Sequence, residues 1–266
     1  MPQGLLEGKH GVVMGVANDR SIAWGCALAC ANAGARLTFN YPTPTFEKRV
    51  GKLAETVENA SAYPCDVTDD AQIREFFERV RQDHGKLDFL IHSVAYAERE
   101  DLKNPFVETP RRNFQRALDV SAYSLVAVAR EAAPLMEAGG SIAAMTYYGS
   151  EKVIPNYNVM GVAKAALEAS ARYLAHDLGP SGIRVNCISA GPLPTLSASA
   201  ISGMRRMLEL TEKNAPLRRN VTQEDVANAA VYLVSDLSTA VTGEVLHVDS
   251  GFNILGMGGE TTPQEE

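Results

Sequence analysis

The sequence predicts an α/β fold: one doubly wound parallel sheet with helices on both faces. Three observations carry that expectation. Short β-rich runs alternate with helical stretches from His10 to Asp249, several runs are apolar at consecutive positions, and turn residues follow the runs. A strand that is apolar on both sides needs cover on both sides, which is the habit of parallel sheets joined by right-handed crossovers. At 266 residues, 45% hydrophobic and 21% charged, the chain suits one ordinary domain with a large core. No Pro/Gly/Ser-rich linker or shift of composition divides it.

The elements follow in order. His10–Val16 is a β-rich run, and the turn Ala17-Asn18-Asp19-Arg20 leads to Ser21, which opens a helix over Ile22–Ala33 closed at Gly34. Arg36–Tyr41 is a second strand and Phe46–Glu58 a second helix. Ser61–Cys65 is a third strand ending in Asp66-Val67, and Asp69–His84 a capped, charged amphipathic helix. Leu87–Ser93 is an almost unbroken apolar strand, and Pro110–Glu137 reads as one long helix with Pro134 near its end. Ser141–Tyr147 is the fifth strand, with a helix over Tyr157–Leu178, rich in Ala, Leu, Glu, Arg and Lys. Ile183–Ser189, an amphipathic insertion over Ser197–Asn214, a helix over Thr222–Ser235 and a strand over Val245–Asp249 complete the chain. Such sheets bind ligands beyond the carboxyl ends of their strands. The turns Gly15–Ser21, Tyr41–Thr45, Asp66-Val67, Ser93–Ala97, Tyr147–Pro155 and Ala190–Ser197 are therefore where function is expected.

Composition narrows the partners. A formal charge of −7, with basic residues at most in pairs, argues against nucleic acid or an anionic membrane surface. No apolar run approaches the ~20 residues of a membrane span, and a secretory leader is not expected. Cys26, Cys30, Cys65 and Cys187 show no Cys-x-x-Cys spacing, and the five histidines form no ligand cluster. A reducing cytoplasm is expected, with neither disulfides nor a metal.

The candidate chemistry lies between Tyr147 and Lys164. With a helix starting near Asn156, Tyr157 and Lys164 stand about two turns of ~3.6 residues apart and share a face. A free phenol titrates near ~10, and a neighbouring ammonium favours its phenolate form, bringing it closer to acid–base use. The same spacing suits a half-buried Tyr and a snorkelling Lys. Placement after the fifth strand favours function. At the other end, the first turn fails as a G-x-G-x-x-G match. Gly15 with Ser21 and the small Ala23 offers a substitute, a hydroxyl and free helix N–H groups for a phosphate. A plain serine cap is the alternative. After the second strand, Tyr41-Pro42-Thr43-Pro44 holds neither acid nor base, and Lys48 and Arg49 lie inside the next helix. With no cation placed for a 2′-phosphate, NADH is expected, while NADPH stays open. Asp66 suits either an adenine amino group or a turn.

Gly15-x₅-Ser21-x-Ala23 together with Tyr157-x-x-Met160-x-x-x-Lys164 resembles the divergent branch of the short-chain dehydrogenase/reductases, and more closely the bacterial enoyl-[acyl-carrier-protein] reductases. The likeness runs from about Leu6 to Met257 and is densest over Ser21–Gly25, Ile154–Lys164, Ile188–Thr195 and Gly243–Phe252. It implies a cytoplasmic homotetramer with a single Rossmann-type catalytic domain over 1–257. Its substrate would be an enoyl thioester on acyl carrier protein, its cofactor NADH. It also implies Tyr157 as catalytic tyrosine, Tyr147 as a second active-site tyrosine and Lys164 as the ribose-holding lysine. Cofactor contacts would come from Gly15, Ser21, Ile22, Asp66, Val67, Val94, Leu193, Pro194, Thr195, Leu196 and Ser197, and a substrate contact from Ala97. Three positions depart from the family pattern: Pro42 replaces a frequent Gln, Ala95 a Gly, and Pro194 an often basic residue.

The spacing has its own reading. Ketone reductases of the wider superfamily place Tyr four residues before Lys and Ser about thirteen before Tyr; here those positions hold Met160 and Ala144. A phenol set ~4.5 Å further back along a helix suits charge that collects away from the carbon receiving hydride, as in an enoyl thioester. A reductase of another enoyl ester or carbonyl, or a non-catalytic nucleotide-binding regulator, is the competing expectation. The insertion at about 193–214, small and apolar with Gly203 inside, is expected to act as a lid over the acyl chain. Arg205 and Arg206 suit either an acidic carrier protein or a solvated face. The polar tail 258–266 is expected to be disordered.

Overall fold

Seven parallel strands form one sheet in the computed structural model, which describes residues 4–195 and 203–256. They are β1 (His10–Met14), β2 (Arg36–Tyr41), β3 (Ser61–Pro64), β4 (Phe89–His92), β5 (Gly140–Thr146), β6 (Ile183–Ala190) and β7 (Val245–Val248), in the order β3-β2-β1-β4-β5-β6-β7. Alternation sorts their side chains into two apolar layers. Val13, Ile91, Met145 and Ile188 join the layer closed by α1 (Ile22–Asn32) and α8 (Gln223–Val234). Met14, Leu90, Ile142 and Val185 join the layer closed by α3 (Asp70–His84), α5 (Ser124–Ala132) and α6 (Val159–Leu178). Full burial of one such side chain stabilises by ~1.5–3 kcal/mol, and cover on both faces explains why β4 shows no polar alternation.

Helix ends follow local chemistry. Asp69 accepts from the N–H groups of Ala71 at 2.8 Å and Gln72 at 3.3 Å, so it caps α3 rather than starting it. Thr222 and Asp225 cap each other's backbone ahead of α8. α2 (Pro44–Ala54) begins two residues before the expected start, with Pro44 at a first-turn position that needs no N–H. The chain order reverses at β1, whose neighbours are β2 and β4. Asn40 fixes that point: its amide oxygen accepts from Gly15 N at 3.0 Å and its amide nitrogen donates to Cys65 O at 3.0 Å. One side chain thus ties the carboxyl ends of β1, β2 and β3 together.

Two helices differ from expectation. The long helix over 110–137 is broken into α4 (Arg111–Leu118), a π-helical turn at Asp119–Tyr123, α5, and a 3-10 turn at Ala133–Leu135. Pro134, second in the closing 3-10 turn, has no N–H to donate to a helix, and Ser124 Oγ donates to Val120 O at 2.7 Å, a local bond that competes with the helical ladder. The π turn has a use, because it delivers Ser121 Oγ to the segment after β4. There it accepts from Tyr96 N at 2.9 Å and donates to Tyr96 O at 3.1 Å. The helix expected from Tyr157 begins at Val159 instead, so Tyr157 lies on the turn that feeds it. Asn156 and Asn158 flank that tyrosine with φ of 65° and 44°, left-handed values incompatible with a continuing α-helix. Of the expected insertion, α7 (Met204–Asn214) is described; Leu196, Ser197 and the tail 258–266 lie outside the described residues.

Candidate active site

The first turn is shaped for a close-approaching ligand. Gly15 has φ of 95°, and a Cβ there would stand 2.1 Å from Ser93 O, so only glycine lets the turn press against the end of β4. Ser21 does not cap α1. Its hydroxyl donates to Asn18 O at 2.6 Å and accepts from Ala17 N at 3.4 Å, which overturns the plain-cap alternative. The first N–H groups of α1, at Ile22 and Ala23, have no intrahelical acceptor. An uncapped helix start beside a side-chain-free glycine fits a dinucleotide pyrophosphate. Lys48 and Arg49 lie inside α2, as expected, yet the Arg49 side chain extends beyond it. Arg49 reaches out of α2 across the Phe46 ring, 5.8 Å from its centroid, and its Nη1 stands 3.4 Å from Ala17 O. A charge lying inside a helix by sequence is thus carried to the turn by its long stem.

Tyr157 and Tyr147 meet. Their rings form an edge-to-face pair with centroids 4.8 Å apart and planes at 72°. Tyr157 packs with Leu102 and Met160, and Ala97, Tyr147 and Ile154 join that same small apolar cluster. Gly149 seats the phenol: a Cβ there would lie 2.4 Å from Tyr157 Cδ1. Among the described residues the Tyr157 hydroxyl makes no hydrogen bond, whereas Tyr147 Oη donates to Met207 Sδ of α7 at 3.2 Å. Burial drives the Tyr157 phenol well above its ordinary range, and Tyr147 and Glu168 push the same way. The expected shift toward phenolate is therefore not found: desolvation and the two acidic neighbours set the direction, and Lys164 is not among the causes. Placed before the helix and sealed by apolar neighbours, Tyr157 is a neutral donor. Burial and the Asp249 carboxylate push Tyr147 up to about 12.

Lys164 is buried on α6, and its Nζ donates to Met145 O of β5 at 2.7 Å. Desolvation lowers it to about 8, with Cys187 and Glu168 opposing the shift. His92 ends β4, bonded to Ser124 Oγ at 2.8 Å; burial and then the Lys164 charge depress it to about 3, so it is neutral at working pH. One turn along α6, buried Glu168 accepts from Thr146 Oγ1 at 2.6 Å, pinning the helix to the end of β5. Gly149, Thr146, Glu168 and His92 were not singled out from sequence. Only Gly149 carried a signal there, as the small residue between the tyrosine pair and the helix start. Met160 buries its thioether 3.8 Å from Ser121 Oγ, so the position of a ketone-type tyrosine holds no acid.

The remaining expected contacts occupy the same strand ends. Asp66 Oδ1 accepts from Thr68 N at 3.0 Å and Thr68 Oγ1 at 2.8 Å, so one carboxylate oxygen serves the turn; Val67 beside it is buried. Val94 and Ala97 follow β4 and are half-buried. Beyond β6, Leu193 is buried, Pro194 exposed and Thr195 half-buried, with Thr195 N donating to Leu193 O at 2.8 Å. Arg205 on α7 pairs with Glu209 at 3.0 Å in full solvent, the solvated-face alternative. Among the described residues no group of His, Cys, Asp and Glu is arranged to hold a metal.

Comparison with known proteins agrees with this geometry. The family model described as Enoyl-(Acyl carrier protein) reductase matches residues 15–253. An enoyl-[acyl-carrier-protein] reductase [NADH] of Rhizobium meliloti is 54% identical over 96% of this chain and 93% of its own. A Bacillus cereus enzyme of that name is also 54% identical, over 95% and 99%. Among solved structures, the reductase of Anaplasma phagocytophilum in complex with NAD superposes with a TM-score of 0.93 at 47% identity, covering 98% of both chains. The Bacillus cereus reductase with NADP+ and indole naphthyridinone gives 0.94 at 53%, covering 96% of this chain and all of that one.

Proposed function

The chain belongs to the enoyl-(acyl carrier protein) reductase family, and from that membership we propose that it reduces the trans-2 double bond of enoyl thioesters borne on acyl carrier protein, with NADH. This is the final reductive step of fatty acid elongation. The observation that carries the reading is the buried, neutral Tyr157 phenol beside Ala97, with a thioether and not a phenol at Met160. A carbonyl reductase needs its acid at the oxygen on the carbon that receives hydride; an enoyl reductase needs a donor at the thioester oxygen, two bonds further on.

Bound NADH supplies the hydride that adds to the β-carbon. The turn Gly15–Ile22 would hold its pyrophosphate, Asp66 and Val67 its adenine, Val94 and the Leu193–Ser197 segment its nicotinamide half, and Lys164 its nicotinamide ribose. Tyr157 donates a hydrogen bond to the thioester oxygen and stabilises the enolate as charge develops, and water then protonates the α-carbon. A donor already desolvated and fixed by Gly149 costs no reorganisation at that moment. Lys164 adds positive field from beneath. Tyr147 walls the acyl side and, through Met207, couples that wall to α7, which we assign as the lid over the acyl chain within a single catalytic unit over 1–257. A cytoplasmic homotetramer completes the reading. It is supported by four free, buried cysteines, by the half-buried edge strand β7, and by Tyr173, 74% exposed on α6. Among the described residues no helix is long and apolar enough to cross a membrane.

The direct test follows NADH absorbance with crotonyl thioester, acetoacetyl thioester and no substrate. Loss with the crotonyl compound alone is expected; turnover of the acetoacetyl compound without the crotonyl one would refute the assignment. A second expectation concerns Gly149→Ala. The new Cβ must displace the Tyr157 ring, since an aromatic ring packed against Tyr147 cannot swing away cheaply. Misplacement on the ångström scale costs on the order of 10²-fold in kcat. Circular dichroism should stay native while kcat falls, and full turnover would show that the phenol needs no such seat.

A further inference from the structure

The Tyr157 hydroxyl is held by no hydrogen bond among the described residues, so its place is set by contacts of the ring and by the backbone on either side. The backbone beyond it is unusual. Asn158 has φ of 44° and ψ of −120°, and Met160 N donates to Tyr157 O at 3.0 Å across it. That is the first corner of a type II′ turn, a glycine-like conformation that persists only where the surroundings impose it. Two carbonyls impose it here. Asn158 Nδ2 donates to Asp101 O at 2.9 Å and to Asn104 O at 2.9 Å. Carbonyls only accept, so the NH2 end of the amide must face them, and both of its N–H groups are used. Those carbonyls belong to the segment after β4 that walls the phenol. Asp101 and Leu102 lie in a 3-10 turn over Arg99–Leu102, both are buried, and Leu102 packs with the Tyr157 ring. The far side of the segment is anchored on α4: Asn113 Nδ2 donates to Asp101 Oδ1 at 3.3 Å, and Arg116 pairs with Glu98 at 3.3 Å. Asn158 therefore stands between a fixed wall and the turn that presents the phenol.

We propose that Asn158 is a positioning residue of the reaction: by donating to Asp101 O and Asn104 O it clamps the Tyr157 turn to the wall carrying Leu102, and so fixes where the phenol meets the thioester oxygen. The proposal rests on the reductase reading above and goes beyond it by naming what holds the donor in register. One amide has two effects. It holds the left-handed corner, whose φ and ψ set how the chain leaves Tyr157 for α6, and it keeps Leu102 against the ring. Asn158 acts through Tyr157 and not on the substrate. A preorganised donor stabilises developing charge only while its geometry is held, so the clamp should be read in the chemical step.

Single turnovers of the full-length protein with crotonyl thioester at saturating NADH, in a cycle of Asn158→Gly and Tyr157→Phe, test this. Glycine accepts the left-handed corner without strain and lacks the amide. Asn158→Gly should therefore fold, bind NADH within about twofold of wild type, and lose about 10- to 100-fold in the chemical rate. Asn158→Asp keeps the shape and the tolerance of left-handed φ while turning a carboxylate toward two carbonyls, and should lose at least as much. In the Tyr157→Phe background, Asn158→Gly should cost less than about threefold, because the hydroxyl it positions is already gone. A residue that merely stabilised the fold would cost the same factor in both backgrounds. Circular dichroism checks each fold, and the same cycle built on Asn158→Asp carries the test if glycine unfolds the chain. A loss under about threefold with Tyr157 present, or equal losses in the two backgrounds, would overturn the proposal while leaving the reductase assignment standing. A wild type inactive on crotonyl thioester would overturn both.

Discussion

Replacing Tyr157 with Phe should lower kcat by ~10²–10³-fold, the usual cost of losing one preorganised oxyanion donor, while NADH affinity stays within about twofold. The ring is retained, so the edge-to-face contact with Tyr147 and the packing on Leu102 and Met160 survive, and only the hydroxyl is lost. Because burial, Tyr147 and Glu168 all raise that phenol, it stays protonated across the working range. The wild-type rate should therefore show no limb assignable to a tyrosinate below pH 10. Tyr147→Phe is the comparison: its hydroxyl is already bound to Met207, so its loss should act on KM for long acyl chains more than on kcat. Stopped-flow single turnovers at saturating NADH read the chemical step directly. A Tyr157→Phe rate within threefold of wild type would remove the phenol from the chemistry.

The sheet was legible because burial on both faces leaves a plain mark on strands. Leu87–Ser93 and Ile183–Ser189 have too few polar positions to face water on either side, and both proved central. Boundaries shifted for identifiable reasons. Gly15, with its left-handed φ, ends β1 before Val16, and Pro64 closes β3 before Cys65. The break near Asp119 left no comparable trace. A π turn inserts a residue without disturbing the apolar periodicity on either side, and its cause lies in hydrogen bonds from Ser121 to a segment twenty-five residues away.

The site was legible as a set of residues and less so as an electrostatic arrangement. A seven-residue gap between Tyr157 and Lys164 is compatible with one helix, and that compatibility concealed the turn. The Pro-Asn-Tyr-Asn sequence held the missing clue, since asparagine tolerates left-handed φ and here does so on both sides of the tyrosine. The sign of the tyrosine shift depends on what surrounds the phenol, which spacing does not carry. Arg49 shows the same limit for long side chains: the sequence placed its Cα inside a helix, and only the folded chain placed its charge at the first turn.

Lys164→Met should weaken NADH binding by at least tenfold and make the remaining affinity independent of pH. The ammonium is buried and titrates at about 8, below its ordinary 10.5, because desolvation disfavours its charge. Cofactor binding that uses this charge is therefore full below pH 8 and falls as pH rises through it, by up to tenfold per unit. Stability moves the other way. Below pH 8 folded and unfolded chains both carry the proton, and the folded one bears the whole desolvation cost. Between about 8 and 10.5 the folded chain releases the proton while the unfolded chain keeps it, so this group's contribution to stability rises with pH. Affinity lost and stability gained over one window is a signature that a purely structural lysine would not give. Methionine matches the length of the stem and needs no desolvation, so the variant should fold and should lack both trends. NADH titration and urea unfolding at pH 7, 8 and 9 check them together. An NADH affinity flat across pH in the wild type would deny Lys164 its part in holding the cofactor, whatever the stability curve shows.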